Sequence, residues 1–495
     1  MRASFLAAVV LIGASCSSNG ASAPTASTAS TPSASTGSTA PGATPGTESS
    51  SVSSAAPTSS SLPPPSFQPG AADVGDSLYP GAGNGGYDVE SYDLSLVWDP
   101  ASGVLDGTAT LDATATQDLS SFNLDLQSMD VSSVRVDGVV ARFVHTGGEL
   151  VVTPPSGLVA SAVFTTTVVY SGIPGASSFG GWLRDGNGGV VAFGEPEVAA
   201  YWYPVNDHPL DKASYTIHIS APSELTVASN GTLIDQIDNG TTTTWTYSQP
   251  APQASYLTTL AIGGYEIVDA GTSASGIPIR NVFPRDSVAK LTETFARQPA
   301  MIDVFENLFG PYPFDVYGAL VLDNLGFGSA LENQTLSVFT TGVTDESVQV
   351  HELAHQWFGD SVSLADWADI WLNEGFATYA ELLWSESQDP AFNTSAEINQ
   401  WRLQADLDQP ITQLEPTLEG LFTASVYRRG AMLLHALRLE IGDKAFFETL
   451  RTYVKTYAYG NVTTADFIAI AEQTAGQQLD DLFDRWLNDV GLPTF

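Results

Sequence analysis

His351, Glu352 and His355 stand in the order His-Glu-Leu-Ala-His, and Glu374 follows nineteen positions after the second histidine. On a helix, residues four apart share one face, so imidazoles from successive turns can hold one metal ion. Glu352 beside the first of them can reach a water on that metal without being a ligand itself. A carboxylate from a following helix then completes two nitrogens and one oxygen around an open fourth position, the pattern of a catalytic zinc. Such a centre activates water for hydrolysis, with Glu352 as the base that takes its proton. Two histidines satisfied inside a packed helix would explain the five residues alone. Glu374, set in Trp371-Leu372-Asn373-Glu374-Gly375-Phe376-Ala377, weighs against that plainer account.

The elements that must carry these residues are legible around them. Val348, Val350, Leu353, Ala354, Trp357 and Phe358 give the motif a buried helix, and Asp345 and Glu346 suit a helix start. Gly359-Asp360 breaks it, and 366–386 reads as a second helix carrying Trp371, Leu372, Glu374 and Phe376. A short loop between two helices can bring Glu374 back to the histidine pair. Upstream, 288–309 has apolar residues at helical spacing and is stopped by Gly310-Pro311-Tyr312-Pro313, after which 317–322 reads as a strand. Downstream, 406–419 is turn-like and helices continue to Trp486, with His435 as a core residue in one of them. From 79 to 268 the signals are β: Tyr92-Asp93-Leu94-Ser95-Leu96 and Tyr215-Thr216-Ile217-His218-Ile219 alternate, with Gly, Pro, Asn and Asp between. His208, beside Pro209, suits a turn better than a metal. The fold class expected is α+β and multidomain, an N-terminal antiparallel β-domain at 79–268 before a mainly helical catalytic domain at 269–495.

Composition bounds the partners. Among 495 residues there are 17 basic and 55 acidic ones, a formal charge of −38. That excess argues against nucleic acid and anionic membrane surfaces as electrostatic partners. Cys16 is the single cysteine, so no intramolecular disulfide is possible. Met1-Arg2 and the apolar run from Phe5 to Ile12 read as a signal peptide over 1–15, too short to span a bilayer stably. Gly13-Ala14-Ser15-Cys16 resembles a bacterial lipoprotein signal, in which the cysteine is lipidated, although Gly13 stands where such signals carry leucine. The stretch 17–72 is Ser, Thr, Ala, Pro and Gly with almost no charge, which cannot bury enough apolar surface to offset ordering. A disordered tether over 16–78 is expected. The chain would then sit on the cell surface, touching the membrane only through a lipid at Cys16, or be secreted if the cysteine is incidental. Oligomeric state leaves no mark in the sequence.

With Glu374 in place, the chain resembles the M1 family of zinc aminopeptidases, the gluzincins, whose signature is His-Glu-x-x-His followed by a glutamate at this spacing. The likeness runs from about 80 to 495. Glu195-Pro196-Glu197 through His208-Pro209 resembles the family segment in which the glutamate before proline, Glu195 here, helps to bind the substrate's free amino group. Gly328-Ser329-Ala330-Leu331-Glu332-Asn333 resembles the family's Gly-Ala-Met-Glu-Asn, with Ser329 for glycine and Leu331 for methionine. It implies the same ammonium-binding role for Glu332 and leaves the side-chain preference open. Tyr427-Arg428-Arg429-Gly430 resembles the tyrosine-x-lysine-glycine start of a helix, with Arg429 for lysine, and implies that Tyr427 stabilises the oxyanion.

What the resemblance implies is a thermolysin-like catalytic domain with one Zn2+ on His351, His355 and Glu374, Glu352 as general base, and peptides as substrates. Many members continue into a β-sandwich and a large helical domain. A short bacterial form without that C-terminal helical domain is expected, with a cleft open to peptides of varied length. Three rivals stand beside it: another metallohydrolase (an endopeptidase or an epoxide hydrolase), a surface-binding scaffold that has lost catalysis, and a structural β-protein. Glu332 favours an aminopeptidase over the first, the filled chemical positions weigh against the second, and the helical second half excludes the third.

Overall fold

The computed structural model describes residues 66–185, 188–323, 325, 327–403 and 407–495. The signal peptide, Cys16 and most of the expected tether lie outside these residues. The last part of that tether, 66–78, does not conform to the expectation, because it joins the fold. Gln68–Pro69 pairs with Leu119–Asp125, and the buried Asp76 anchors the chain through its carboxylate. Main-chain pairing and one buried acid order a segment that apolar content alone would leave loose.

The first half is built of alternating strands. In Tyr87–Trp98, Tyr92, Leu94, Leu96 and Trp98 point inward, while Asp93, Ser95 and Val97 face out. A bulge between Val89 and Ser91 resets the phase so that Val89 also faces the core. An eight-stranded sheet runs Thr232–Asp238, Thr242–Gln253, Ala213–Pro222, Tyr87–Trp98, Leu105–Ala115, Val163–Gly172, Asp130–Val136 and Val139–Val140. It is antiparallel throughout except where Ala213–Pro222 lies parallel to Tyr87–Trp98. A smaller sheet of Ala176–Ser177, Gly180–Arg184, Val190–Gly194, Leu260–Gly263 and Thr226–Ser229 leads directly into Glu195. Gly180 and Gly194 are required there. Each has positive φ, and a Cβ would lie 2.3 Å from the Phe193 carbonyl oxygen at Gly180 and 2.3 Å from the Phe179 carbonyl oxygen at Gly194.

The second half opens on a sheet before it turns helical. Tyr265–Thr272, Pro278–Pro284, Ala319–Leu322, Ser337–Thr340 and Ala330–Leu331 form it in that order, so its first strand crosses the boundary expected at 268. The helices are α1 Val288–Thr294, α2 Gln298–Phe309, α3 Glu346–Ala354, α4 Trp371–Gln388, α5 Thr394–Trp401, α6 Leu418–Leu421, α7 Gly430–Thr456, α8 Thr464–Ala475 and α9 Asp480–Asn488. The single helix expected over 288–309 is two. Pro299 has no N–H to give a preceding turn and takes the first turn of α2, so the chain restarts after Phe295. Trp357, Trp367, Trp371, Phe376, Leu433, Tyr453 and Phe467 share one core, which packs α3, α4, α7 and α8 together. Among the described residues no helix is long and apolar enough to cross a membrane.

Candidate active site

Helix α3 presents His351, and the chain stays helical through His355, whose N–H bonds to the His351 carbonyl at 3.3 Å. Each ring is turned by its outer nitrogen. His351 Nδ1 meets Glu381 Oε1 at 3.0 Å and His355 Nδ1 meets the Phe358 carbonyl at 3.1 Å. With Nδ1 spent on an acceptor, Nε2 of both rings is left to face Glu374 Oε2, at 3.0 and 3.5 Å. Ligand atoms on a tetrahedral zinc, at about 2.0–2.1 Å from the ion, lie about 3.3 Å apart. The three residues therefore fit zinc in donor type, spacing and tautomer. Against burial, which raises it, the His355 and His351 rings hold the Glu374 carboxyl down at about 2. It stays ionised, as a ligand must.

The short loop from Phe358 to Ile370 returns α4 against α3, as the sequence requires. Asp366 caps the turn at Trp367–Asp369 by accepting the Ala368 N–H at 2.9 Å. Helix α4 then crosses the start of α7 with no side chains between. A Cβ on Gly375 would lie 3.0 Å from Gly430 Cα, and the reverse also holds. That crossing brings Tyr427, on a π-helical turn at Ser425–Arg429, over the metal set. Its ring stacks on His351 with centroids 5.9 Å apart and an 18° interplanar angle. Burial and then Glu374 push the Tyr427 hydroxyl well up, so it remains a proton donor. The turn is pinned by Arg429, which is 0% exposed. Arg429 donates to the carbonyls of Trp486 (2.7 Å), Gln409 (3.0 Å), Arg485 (3.3 Å) and Asp489 (2.7 Å), tying it to the end of α9. A lysine could not make four such bonds, so the departure from the family pattern here strengthens the support.

Four further carboxylates crowd the same space. Burial pushes the Glu352 carboxyl up to about 8, although His351 and His355 lower it. Glu332, on the end of strand Ala330–Leu331, is raised by burial, and Glu195 well raised by burial and by Glu332. Asp360, behind them, is raised by burial and by Glu332 and relieved in part by Lys212. Glu332 is fixed from two sides. Tyr256 Oη donates to its Oε1 at 3.3 Å, and Gln356 Nε2 donates to its carbonyl at 2.9 Å, which registers that strand on the zinc helix. Glu195 Oε1 is buried without a hydrogen-bond partner among the described residues. A buried carboxyl left in that state costs free energy, and its raised pKa keeps it neutral until a nearby cation favours the charged form.

All seven residues singled out in the sequence, His351, His355, Glu374, Glu352, Tyr427, Glu332 and Glu195, converge here. His208 lies apart, buried and bonded through Nε2 to Asp76 at 3.1 Å, while its Nδ1 accepts the Leu210 N–H and so shapes the turn. His435 is a core residue held by Tyr379 and Ser395. Sequence reasoning missed Glu381, Gln356 and Tyr256. Glu381 carried a signal, since seven residues past Glu374 is two turns along the same face of α4. Tyr256 carried none.

Comparison with known proteins agrees with this geometry. The Peptidase family M1 domain matches residues 294–486 and the Peptidase M1 N-terminal domain matches residues 88–257. Aminopeptidase N of Streptomyces lividans is 30% identical over 321 residues, 58% of this chain and 36% of that protein. Aminopeptidase M1-B of Oryza sativa subsp. japonica is 28% identical over 318 residues, 59% of this chain and 36% of its own length. This chain thus spans about a third of these curated relatives. Among solved structures, the M1 zinc metallopeptidase from Deinococcus radiodurans is 34% identical with a TM-score of 0.75, over 85% of this chain and 98% of that one.

Proposed function

This chain belongs to peptidase family M1, and on that premise we propose that it is a zinc-dependent aminopeptidase releasing N-terminal residues from peptides. One observation carries the choice of exopeptidase: Glu195 and Glu332 bury two carboxylates beside the metal set, and one oxygen of Glu195 has no partner among the described residues. A peptide's N-terminal ammonium is the cation that meets that demand, and the pair is worth more there than in water.

Zinc held by His351, His355 and Glu374 would polarise the scissile carbonyl and bring the pKa of a bound water to about 7. Glu352 takes a proton from the attacking water and returns it to the leaving amine. Tyr427 Oη donates a hydrogen bond to the carbonyl oxygen as negative charge grows on it. Glu195 and Glu332 hold the ammonium, and by fixing the first residue they decide which bond lies against Glu352. The test compares aminoacyl amides with a free and an acetylated N-terminus, each with and without chelator. Acetylation is expected to slow hydrolysis at least about a hundredfold, because it leaves both carboxylates unpaired. Equal rates on the two substrates would mean an endopeptidase.

We also propose that the enzyme is held at the cell surface through a lipidated Cys16, a reading supported by the apolar run before it and the polar stretch after it. The wild type is then expected with membranes and Cys16→Ser in the soluble fraction; secretion is the reading if the wild type is wholly soluble.

A further inference from the structure

The strap that precedes the β-domain reaches the amine pocket from outside any motif. Asp76 is buried, and its two oxygens accept four N–H groups: Leu78 (2.9 Å) and Tyr79 (2.7 Å) on one, Trp367 (2.7 Å) and His208 Nε2 (3.1 Å) on the other. Ser77 adds two bonds to Asp366, at 2.9 Å from its N–H and 2.8 Å from its hydroxyl. These contacts hold Tyr79 in place, and its ring lies edge-on to both Phe179 and Trp367, 6.4 Å from each.

Those two neighbours are the supports of the two ammonium-binding carboxylates. The Phe179 carbonyl receives the Glu195 N–H at 3.2 Å. The Trp367 ring lies edge-on to Tyr256 at 5.3 Å, and Tyr256 donates to Glu332. Glu195 comes from the β-domain and Glu332 from the catalytic domain, 137 positions apart in the chain, so packing and not a short covalent link sets the distance between them. The Tyr79 hydroxyl is buried without a partner among the described residues, and burial, followed by Glu197, Glu195 and Asp76, pushes its pKa up. We infer that Tyr79 is a positioning residue for amine recognition, a wedge of the strap that sets the spacing of Glu195 and Glu332. This rests on the aminopeptidase function proposed above. The ring acts through packing. A spacing error of about 1 Å is enough to spoil a two-point anchor, because both carboxylates must reach one ammonium.

The experiment uses the full chain, with a panel of fluorogenic aminoacyl amides and their N-acetyl analogues. Wild type is assayed first, and equal rates on the free and acetylated substrates would sink the aminopeptidase function rather than the role of Tyr79. Given a free-amine preference, Tyr79→Leu is expected to raise KM about tenfold, with kcat within about threefold and one zinc per chain retained. Tyr79→Phe, which keeps the ring, is expected to match the wild type. Phe179→Leu removes the same contact from its other side; it is expected to raise KM alike and to add little in the double variant. It also decides the matter if Tyr79→Leu does not fold. A wild-type KM in either leucine variant overturns the inference. So does loss of zinc with a fall in kcat, which would mark a merely structural role, or a Tyr79→Phe variant as impaired as Tyr79→Leu, which would assign the effect to the hydroxyl.

Discussion

Removing the acceptor behind His351 is expected to weaken zinc without touching a ligand. The His351 Nδ1 to Glu381 Oε1 bond is 3.0 Å long, and the two side chains are only 12% and 19% exposed. At that depth the pair is not a surface ion pair of about 0–1 kcal/mol. A hydrogen bond to a charged acceptor contributes about 1.5–3 kcal/mol, which corresponds to roughly tenfold to 150-fold in an equilibrium constant. Partners behind metal-bound histidines cost about 10–100-fold in metal affinity when lost, which agrees. Glu381→Leu is therefore expected to raise the zinc Kd by about thirtyfold or more. Glu381→Gln keeps a neutral acceptor and loses roughly 1 kcal/mol, about fivefold. His355 is unaffected in both, since Nδ1 there bonds the main-chain carbonyl of Phe358. Competition for zinc against a chromophoric chelator at one pH reads the constants, with unfolding of the metal-free proteins as a control. A wild-type zinc Kd in Glu381→Leu would refute the assignment, as would an equal loss of apo stability.

Glu352→Gln is expected to retain one zinc per chain and lose turnover by about a hundredfold to ten-thousandfold, since the amide cannot take the proton; mass spectrometry of the native protein and initial rates check both halves. Tyr427→Phe is expected to lower kcat about a hundredfold with a modest change in KM, and an unchanged kcat would leave the ring a packing group only. Stability is expected to fall as pH rises from about 4 to 7. Burial raises Asp211 to about 7, Asp207 to about 6 and Glu197 to about 7, so each binds its proton more tightly folded than unfolded. The stability they add is present below about 4 and lost as pH rises through 6 to 7. In Asp211→Asn the melting temperature is expected to lose about one proton's share of that slope, and an unaltered slope would clear Asp211 of the role.

The metal set was legible because helical spacing and one short loop fix it locally, so five residues and Glu374 suffice to place three ligands. Glu352 follows from the same turn. Glu195 and Glu332 were legible only by resemblance. No periodicity links residues 137 positions apart, and an acid in a loop has many other uses. The two-domain order was readable from the change of period near 268, yet strand Tyr265–Thr272 crosses it because its partner, Pro278–Pro284, belongs to the second half. The π-helical turn of Tyr427 has no pattern of its own; Arg429 makes it by bonding carbonyls some 56 to 60 residues ahead. The strap was misread for a similar reason. Composition measures apolar content, and residues 66–78 are held by main-chain pairing and by the carboxylates of Asp76 and Asp366.

The proposed recognition groups and the three residues that fit a metal also differ in how far the chain must travel to assemble them, and this gives the molecule a history. His351, His355 and Glu374 belong to neighbouring helices, a loop closure of some twenty residues, whereas Glu195 and Tyr79 must arrive from the other half of the chain. Closing the shorter loop costs less entropy, so the zinc ligands are expected to come together first in folding and the ammonium anchor last. Docking of the strap on Asp366 and Trp367, which joins residues some 290 positions apart, belongs to the same late group of contacts.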